Sequence, residues 1–388
     1  MTEPSVEAGI ELPGPTLGIV GGGQLGRMLA EAASPLGVEV IVLDPTDPCP
    51  AAPVASDQIV ADFDDADAID RLADRSDALT LEIELADPTA MEAVNIPVNP
   101  APESLAIIQD KLIQMEHFEE AGVPLPEFRR VDTPADLEEA FDELGSPLML
   151  KARTGGYDGR GNMPVTPDLD LEAAIEAVGG SAMVEEFVDF ERELAVMAAR
   201  GDGETRLHPV TETVHADEIL RETVVPPRCD EDVIATAEAV ARSALEALEG
   251  RGIFGFELFE TSDGDILFNE VAPRPHNSGH WTIEGTVTSQ FEQHVRAVLG
   301  WPLGATERVH ESVVSVNILG DGTTARPVGL SGVEHVLKSP RGHLHWYGKA
   351  QTRPLRKMGH LTVTSKSDAI DQVLSRARAL RSHLNFDE

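Results

Sequence analysis

The sequence predicts an α/β protein made of two unlike α/β units and a shorter mixed segment. Three observations predict it. The chain has 388 residues, enough for two or three domains at roughly 100–200 residues each. It opens with short apolar strands alternating with helix-spaced segments, the pattern of a Rossmann-like parallel sheet. Its middle replaces that pattern with a glycine-rich loop and a phenylalanine-rich hairpin.

In order, Leu17–Val20 is a buried strand and runs into Gly21-Gly22-Gly23-Gln24-Leu25-Gly26. Arg27 to Leu36 has helical spacing, Val38–Leu43 and Ala78–Ile83 are further strands, and Pro97-Val98 sits near a fourth. One helix is expected from about Glu103 to Ala121, ending at the breaker-rich Gly122-Val123-Pro124-Leu125-Pro126. Leu148–Lys151, Ala182–Phe187 and Leu194–Ala198 read as strands, and Glu231–Leu248 as a helix. Phe254–Glu260 and Asp265–Val271 form a hairpin around Ser262-Asp263-Gly264. The last ~90 residues mix short strands with a basic cluster and a helix after Ser367.

Composition limits the function. Lys+Arg is 30 against 68 Asp+Glu, a formal net charge of −38. Such a chain is no general binder of nucleic acid or of anionic membranes, both of which need basic residues. Two cysteines, Cys49 and Cys229, make neither a disulfide framework nor a cysteine zinc site. No apolar run approaches a membrane span, and the acidic start has no signal-peptide core, so a soluble cytoplasmic protein is expected. Only six of the 30 basic residues are lysine, and the acids are spread throughout, which fits a surface adapted to high internal salt.

The first glycine cluster fits G-x-G-x-x-G, with Asp44 about 20 residues on, the fingerprint of a dinucleotide site. Nothing later supplies a hydride site, so a loop cradling another phosphate is the better reading, with Gln24 and Arg27 adding polar reach. The second loop, Thr154 to Asn162, places Tyr157, Asp158 and Arg160 among four glycines. It lacks the Walker pattern and reads as a mobile flap over phosphates. Lys151, just upstream, offers a point charge. In the hairpin, Glu257 pairs with Phe268 or with Glu270, and in either register both carboxylates share a face. Two such carboxylates repel unless a cation such as Mg²⁺, shared with triphosphate oxygens, lies between them. Asn269 to Thr282 then crowds Arg274, His276, Asn277, Ser278 and His280 into one loop, read as a substrate contact. His343, His345, Trp346, Tyr347, Lys349, Arg353, Arg356 and Lys357 make a basic, aromatic stretch, read as an anion site.

Together, G-G-G-Q-L-G-R-M-L from Gly21, T-G-G-Y-D-G-R-G from Thr154, N-E-V-A-P-R-P-H-N-S-G-H-W-T from Asn269 and H-L-H-W-Y-G-K from His343 resemble the ATP-grasp superfamily. Within it they resemble the N5-carboxyaminoimidazole ribonucleotide synthases, also called the ATPase subunit of phosphoribosylaminoimidazole carboxylase. The resemblance runs from about Leu17 to about Thr364. It implies a three-domain ATP-grasp enzyme: 1–110 a Rossmann-like substrate domain, 111–300 the ATP-grasp domain, and 301–388 a domain completing the cleft. The family joins 5-aminoimidazole ribonucleotide, bicarbonate and ATP through carboxyphosphate, in purine biosynthesis, with magnesium (manganese is an alternative).

The resemblance also implies site residues. Lys111 and Lys151 match cationic ATP contacts, and Gly156, Tyr157, Asp158, Gly159, Arg160, Gly161 and Asn162 match the flap. Glu185, Glu186, Phe187 and Val188 match the adenine segment, Glu193 the ribose acceptor and His215 a further nucleotide contact. Glu257 and Glu270 match the metal ligands, with Asn269 beside them. Tyr157, Asp158, Arg160, Arg274, His276, Asn277, Lys349 and Arg356 match or adjoin the substrate and carboxyphosphate site. Gly23, Gln24 and Leu25 join them, and either Glu82 or Glu84 holds the ribose. Lys111, Asn162 and Glu186 depart from common family residues without removing a chemical group. A homodimer and product handover to a separate mutase are implied as well. The alternatives are another ATP-grasp ligase, such as formate-dependent glycinamide ribonucleotide transformylase or a biotin-type carboxylase, an NAD-binding oxidoreductase, or an inactive nucleotide-binding regulator.

Overall fold

The computed structural model describes residues 10, 12–155 and 161–387. The N-terminal unit is a four-stranded parallel sheet in the order β3-β2-β1-β4: β1 (Thr16–Val20), β2 (Glu39–Leu43), β3 (Asp57–Ile59) and β4 (Ala78–Leu81). Helices α1 (Gln24–Ala33), α2 (Ala66–Ala73), α3 (Pro88–Ala93) and α4 (Pro102–Gln109) accompany it. The strands β1, β2 and β4 are nearly continuous runs of buried residues because helices cover both faces of a parallel sheet. The fourth strand is β3, not the Pro97-Val98 segment, which contributes only a single parallel bridge from Val98 to Leu79.

The single helix expected over Glu103 to Ala121 is two. Asp110 leaves the helical conformation and accepts hydrogen bonds from the amides of Leu112 (3.0 Å) and Ile113 (3.3 Å), starting α5 (Lys111–Glu120). A capping aspartate satisfies amides that a continuous helix would have bonded internally. The same carboxylate takes Arg153 at 2.6 Å, so this helix start is tied to the root of the glycine-rich loop.

A second sheet, β5-β8-β6-β7, is antiparallel: β5 (Phe128–Val131), β6 (Leu148–Ala152), β7 (Asn162–Val165) and β8 (Ala182–Glu186), with α6 (Pro134–Leu144) and α7 (Leu171–Ala177). The third sheet is the largest and antiparallel. It runs β14-β13-β9-β11-β12-β15-β20-β18, with β10 (Thr205–Leu207) on β9. Its strands are β9 (Phe190–Arg200), β11 (Thr211–Ala216), β12 (Ile219–Val225), β13 (Gly252–Thr261), β14 (Ile266–Ala272), β15 (Ser312–Leu319), β18 (Gly342–Trp346) and β20 (Lys357–Ser365). Because β12 pairs with β15, the last third of the chain extends the sheet that carries the hairpin.

Helix α8 (Glu231–Glu246) buries its apolar stripe on the hairpin strands. Then α9 (Thr282–Gly285) and α10 (Gln290–Val298) lead back, and α10 packs Phe291, Val295 and Val298 among the N-terminal core residues. The remaining elements, α11 (Val333–Lys338), α12 (Ile370–Ser382) and the short pairs β16 (Arg326–Pro327) with β19 (Gln351–Thr352) and β17 (Leu330–Ser331) with β21 (Asn385–Phe386), close the C-terminal core. Among the described residues no helix is long and apolar enough to cross a membrane.

Candidate active site

The hairpin brings the two glutamates face to face: Glu257 is the register partner of Glu270. The ladder then slips, since Leu258 pairs with Phe268, and Asn269 is the extra residue of a β-bulge. A bulge suspends the alternation of faces. Successive residues therefore address one site: Lys151 Nζ donates to Asn269 Oδ1 at 3.3 Å and Lys111 Nζ to Glu270 Oε2 at 2.9 Å. Burial, then the Glu270 charge, pushes Glu257 up to about 7, whereas Lys111 above all holds Glu270 down to about 2. Burial works against the charge on Lys111, but Glu270, Glu185 and Glu257 outweigh it and raise its pKa.

This donor set fits a hard divalent cation. Two carboxylates and an amide oxygen are what a Mg²⁺ site supplies when phosphates complete the shell. Among the described residues no group of three or more His, Cys, Asp or Glu is placed to hold a metal ion.

One wall of the cleft is β6 and β8, where Lys151 pairs with buried Glu185 at 2.6 Å. The side chain of Glu185 is thus committed to the lysine. That of Glu186 turns back to accept the Glu127 amide at 3.3 Å. Phe187 is half-exposed in the link to β9, where Val188 also lies. Across the link, His215 Nδ1 meets Glu193 Oε2 at 2.7 Å. Burial depresses the His215 pKa, but Glu193 and the Glu257 charge overcome it and leave it raised. The residues Gly156, Tyr157, Asp158, Gly159 and Arg160 lie outside the described residues. They fall in sequence between β6 and β7, where Lys151 pairs with Asn162 and the Ala152 amide donates to Gly161 O at 2.7 Å.

The first glycine loop is occupied by the chain itself. Asp44 accepts the Gly22 amide at 2.9 Å, and Glu82 accepts the amides of Gly23 (2.6 Å) and Gly26 (2.9 Å). A Cβ on Gly23 would lie 2.6 Å from Glu82 Oε1. This removes the dinucleotide reading, since the donors a pyrophosphate needs are spent. The Gly23 amide is likewise bonded within the chain. The amides of Gln24 and Leu25 at the start of α1 are the ones left, and the Leu25 side chain is core. Glu84 instead pairs with Arg274 at 2.8 Å, linking the N-terminal sheet to the loop after β14. Burial raises the Glu82 pKa against its two amide donors and Arg274.

That loop sets His276 Nδ1 2.8 Å from Ser278 Oγ and 3.5 Å from Glu257 Oε1. Asn277, Ser278, His280 and Trp281 are buried, and Trp281 Nε1 donates to Thr211 Oγ1 at 2.8 Å. The basic stretch divides. Trp346, partly buried, packs against the C-terminal core, and Tyr347 is buried against His360, its hydroxyl 2.8 Å from Nδ1. They are scaffold, which corrects the reading of the whole stretch as an anion site. Lys349 Nζ donates to Lys357 O at 2.7 Å, and Lys357 in turn acts on the charges of Glu257 and His215. A Cβ on Gly348 would lie 3.2 Å from Arg27 Nη1, so this turn abuts α1. Arg356 Nη1 donates to Gln351 O at 2.7 Å. Missed by sequence reasoning is Gln290, a buried amide that bonds the backbone of His276 on both sides.

The two sheets facing each other, with cations on one wall and a carboxylate pair on the other, define an ATP-grasp ligase. Family models agree: residues 116–291 match an ATP-grasp domain, 15–109 a ribonucleotide synthetase preATP-grasp domain, and 313–373 a phosphoribosylaminoimidazole carboxylase C-terminal domain. The chain is 42% identical over 357 residues to the N5-carboxyaminoimidazole ribonucleotide synthase of Brucella melitensis, covering 90% of this chain and 96% of that protein. It is also 42% identical over 364 residues to the phosphoribosylaminoimidazole carboxylase of Schizosaccharomyces pombe, covering 90% of this chain but only 65% of that longer protein. The Aspergillus clavatus N5-carboxyaminoimidazole synthase, solved with ADP and 5-aminoimidazole ribonucleotide, superposes with a TM-score of 0.88 at 34% identity, covering 95% of this chain and 98% of that one. The chain belongs to the N5-carboxyaminoimidazole ribonucleotide synthase family.

Proposed function

We propose that the chain carboxylates 5-aminoimidazole ribonucleotide with bicarbonate at the expense of ATP, in purine biosynthesis. The observation that carries this is the 3.5 Å approach of His276 to Glu257, which joins a phosphate-handling wall to a loop built for a second ligand. A formate-using transformylase is not favoured, because the C-terminal match is to the carboxylase family.

A bicarbonate oxygen attacks the γ-phosphorus, the bond to the ADP oxygen breaks, and carboxyphosphate forms. The exocyclic amine then attacks the carboxyl carbon, phosphate leaves, and the amine gives up a proton. Lys111 and Lys151 hold the triphosphate and its developing charge. Glu257 and Glu270, with Asn269 beside them, would hold Mg²⁺ or Mn²⁺, which would neutralise phosphate charge. The backbone of Glu185 to Val188 reads the adenine, and Glu193, held by His215, takes the ribose. Gly156 to Asn162 are assigned to the phosphates, and Tyr157, Asp158 and Arg160 to the acceptor as well. Gln24 and Leu25 amides, Lys349 and Arg356 take the substrate phosphate. Glu82 is already bonded to the glycine loop and Glu84 to Arg274, so Glu82 fixes the loop while Glu84 with Arg274 faces the ribose. His276 and Asn277 hold the carboxyl donor by the amine and keep water out. Asp158 or His276 takes the proton.

The division at 1–110, 111–300 and 301–388 goes with this reading, as do a cytoplasmic homodimer, handover to a mutase and a high-salt habitat. The test is ADP release with each acceptor in turn, with and without bicarbonate. Release that needs both 5-aminoimidazole ribonucleotide and bicarbonate is expected. Release driven by formate and glycinamide ribonucleotide would sink the proposal.

A further inference from the structure

Gln290 is the first residue of α10, fully buried, fourteen residues beyond His276. Its Oε1 accepts the His276 amide at 2.9 Å and its Nε2 donates to the His276 carbonyl at 2.7 Å. The second hydrogen on Nε2 points to His280 Nδ1 at 3.3 Å. The orientation of the amide is not a choice: a backbone N–H only donates and a carbonyl only accepts. One side chain thus copies the pairing of a β-strand on a residue that belongs to no strand.

The neighbourhood is shaped for this clamp. A Cβ on Gly279 would lie 2.4 Å from Gln290 Oε1, and a Cβ on Gly255 would lie 2.7 Å from His276 Cβ. His276 is therefore held between the glycine of β13 and the amide of Gln290. Gln290's own amide is fixed by Thr282 Oγ1 (3.0 Å), whose hydroxyl donates to Gly279 O (2.7 Å). Asparagine is too short by one methylene, glutamate lacks the donor when ionised, and methionine has neither function. Glutamine offers a donor and an acceptor at this reach at every pH, glutamate only when protonated.

We propose that Gln290 is a positioning residue for carboxyl transfer: it sets the His276 ring against Glu257, and through it couples phosphate transfer to capture of the amine. This rests on the placing of His276 at the acceptor side of the site. It assigns Gln290 no contact with either substrate. Its loss therefore lets the ring drift without removing any ATP ligand, and misplacement by about an ångström is enough to cost about 100-fold in transfer.

The test uses the full chain with Gln290→Met, Gln290→Glu and His276→Ala, reading ADP and carboxylated product separately, with the ATP KM and Tm. For Gln290→Met the expected result is an ATP KM within about threefold, product turnover reduced about 10- to 100-fold, and an ADP-to-product ratio well above one. For Gln290→Glu, protonation recreates a hydroxyl donor beside a carbonyl acceptor. Its turnover relative to wild type should therefore recover from pH 8 to pH 6, and this variant carries the test if the Met variant does not fold. A coupled Gln290→Met enzyme within threefold of wild type overturns the inference. So does a fall in Tm and ATP affinity with the ratio still at one, or a Glu variant that shows no recovery at low pH. If Gln290→Met stays coupled while His276→Ala is uncoupled, only the role of Gln290 fails. A His276→Ala enzyme that stays coupled sinks the underlying placement of His276 as well.

Discussion

Glu257 and Glu270 face each other across the β13–β14 pair, yet Lys111 forms its ion pair with Glu270, at 2.9 Å. The site is built asymmetrically: Lys111 favours the charged form of Glu270, while burial and the Glu270 charge disfavour that of Glu257.

Replacing either by Gln should lower turnover by about 100-fold or more, since each neutralises charge needed for phosphoryl transfer. The ligand-free proteins should differ. The Glu257 pKa in the fold, about 7, lies above the ordinary 4.5, so its ionisation penalises the fold increasingly from pH 4.5 to 7. Glu257→Gln should then melt higher than wild type at pH 8 and no higher at pH 5. Glu270 lies below its ordinary value, so its stabilisation is present above 4.5, and Glu270→Gln should melt lower at pH 8. Equal shifts for both variants would contradict this asymmetry.

Acid should unfold the protein through its buried histidines. Burial holds His208 and His294 down to about 3, and His280 and His360 well below 6.5. Their neutral forms stabilise the fold fully above 6.5, and that stability is lost as pH falls from 6.5 toward 3. Each histidine contributes up to about 1.4 kcal/mol per pH unit in that window. The ring nitrogens of His208 have no hydrogen-bond partner among the described residues, so His208→Leu should flatten the loss by about one proton. Unfolding free energies at pH 7, 6 and 5 check it, and an unchanged slope in the variant would refute it.

The glycine loop should bind no NADH, because Asp44 and Glu82 hold its amides. Gly21→Ala should be costly, by about 2 kcal/mol or more. Gly21 sits at φ +104 and a Cβ would lie 2.4 Å from Glu82 Cγ. Gly122→Ala, at φ +73 in open space, should cost only about 1 kcal/mol. Similar melting losses for the two would show that Glu82 yields readily.

With a net charge of −38, the protein should melt higher in molar KCl than in dilute buffer, where self-repulsion is unscreened. A Tm that is flat with KCl, or highest at low salt, would assign the acidity another cause.

How much of this was legible follows from what each feature leaves in a sequence. The hairpin was visible because Phe254, Phe256, Phe259 and Phe268 mark two largely buried runs on either side of Ser262-Asp263-Gly264, and both permitted registers put the glutamates on one face. The bulge at Asn269 was not, because one surplus residue leaves no pattern in a single strand. Strand β3, Asp-Gln-Ile, is too short and polar to announce itself. The break at Asp110 was readable in principle as a cap, but apolar spacing ran through it. Glu82 in the glycine loop and Gln290 on His276 are contacts across 59 and 14 residues, and no local signal encodes their partners. The aromatic residues of the His343–Lys349 run looked functional because they cluster, while Tyr347 is core and Trp346 is partly buried against the C-terminal core.

The central claim is that bicarbonate attacks ATP before the amine is carboxylated. Turnover with ¹⁸O-labelled bicarbonate tests it most directly, by mass analysis of the phosphate released. Carboxyphosphate carries a bicarbonate oxygen between carbon and phosphorus, and cleavage by the amine leaves that oxygen on phosphorus. The account predicts one ¹⁸O in each phosphate formed with product. Unlabelled phosphate accompanying full product formation would contradict it.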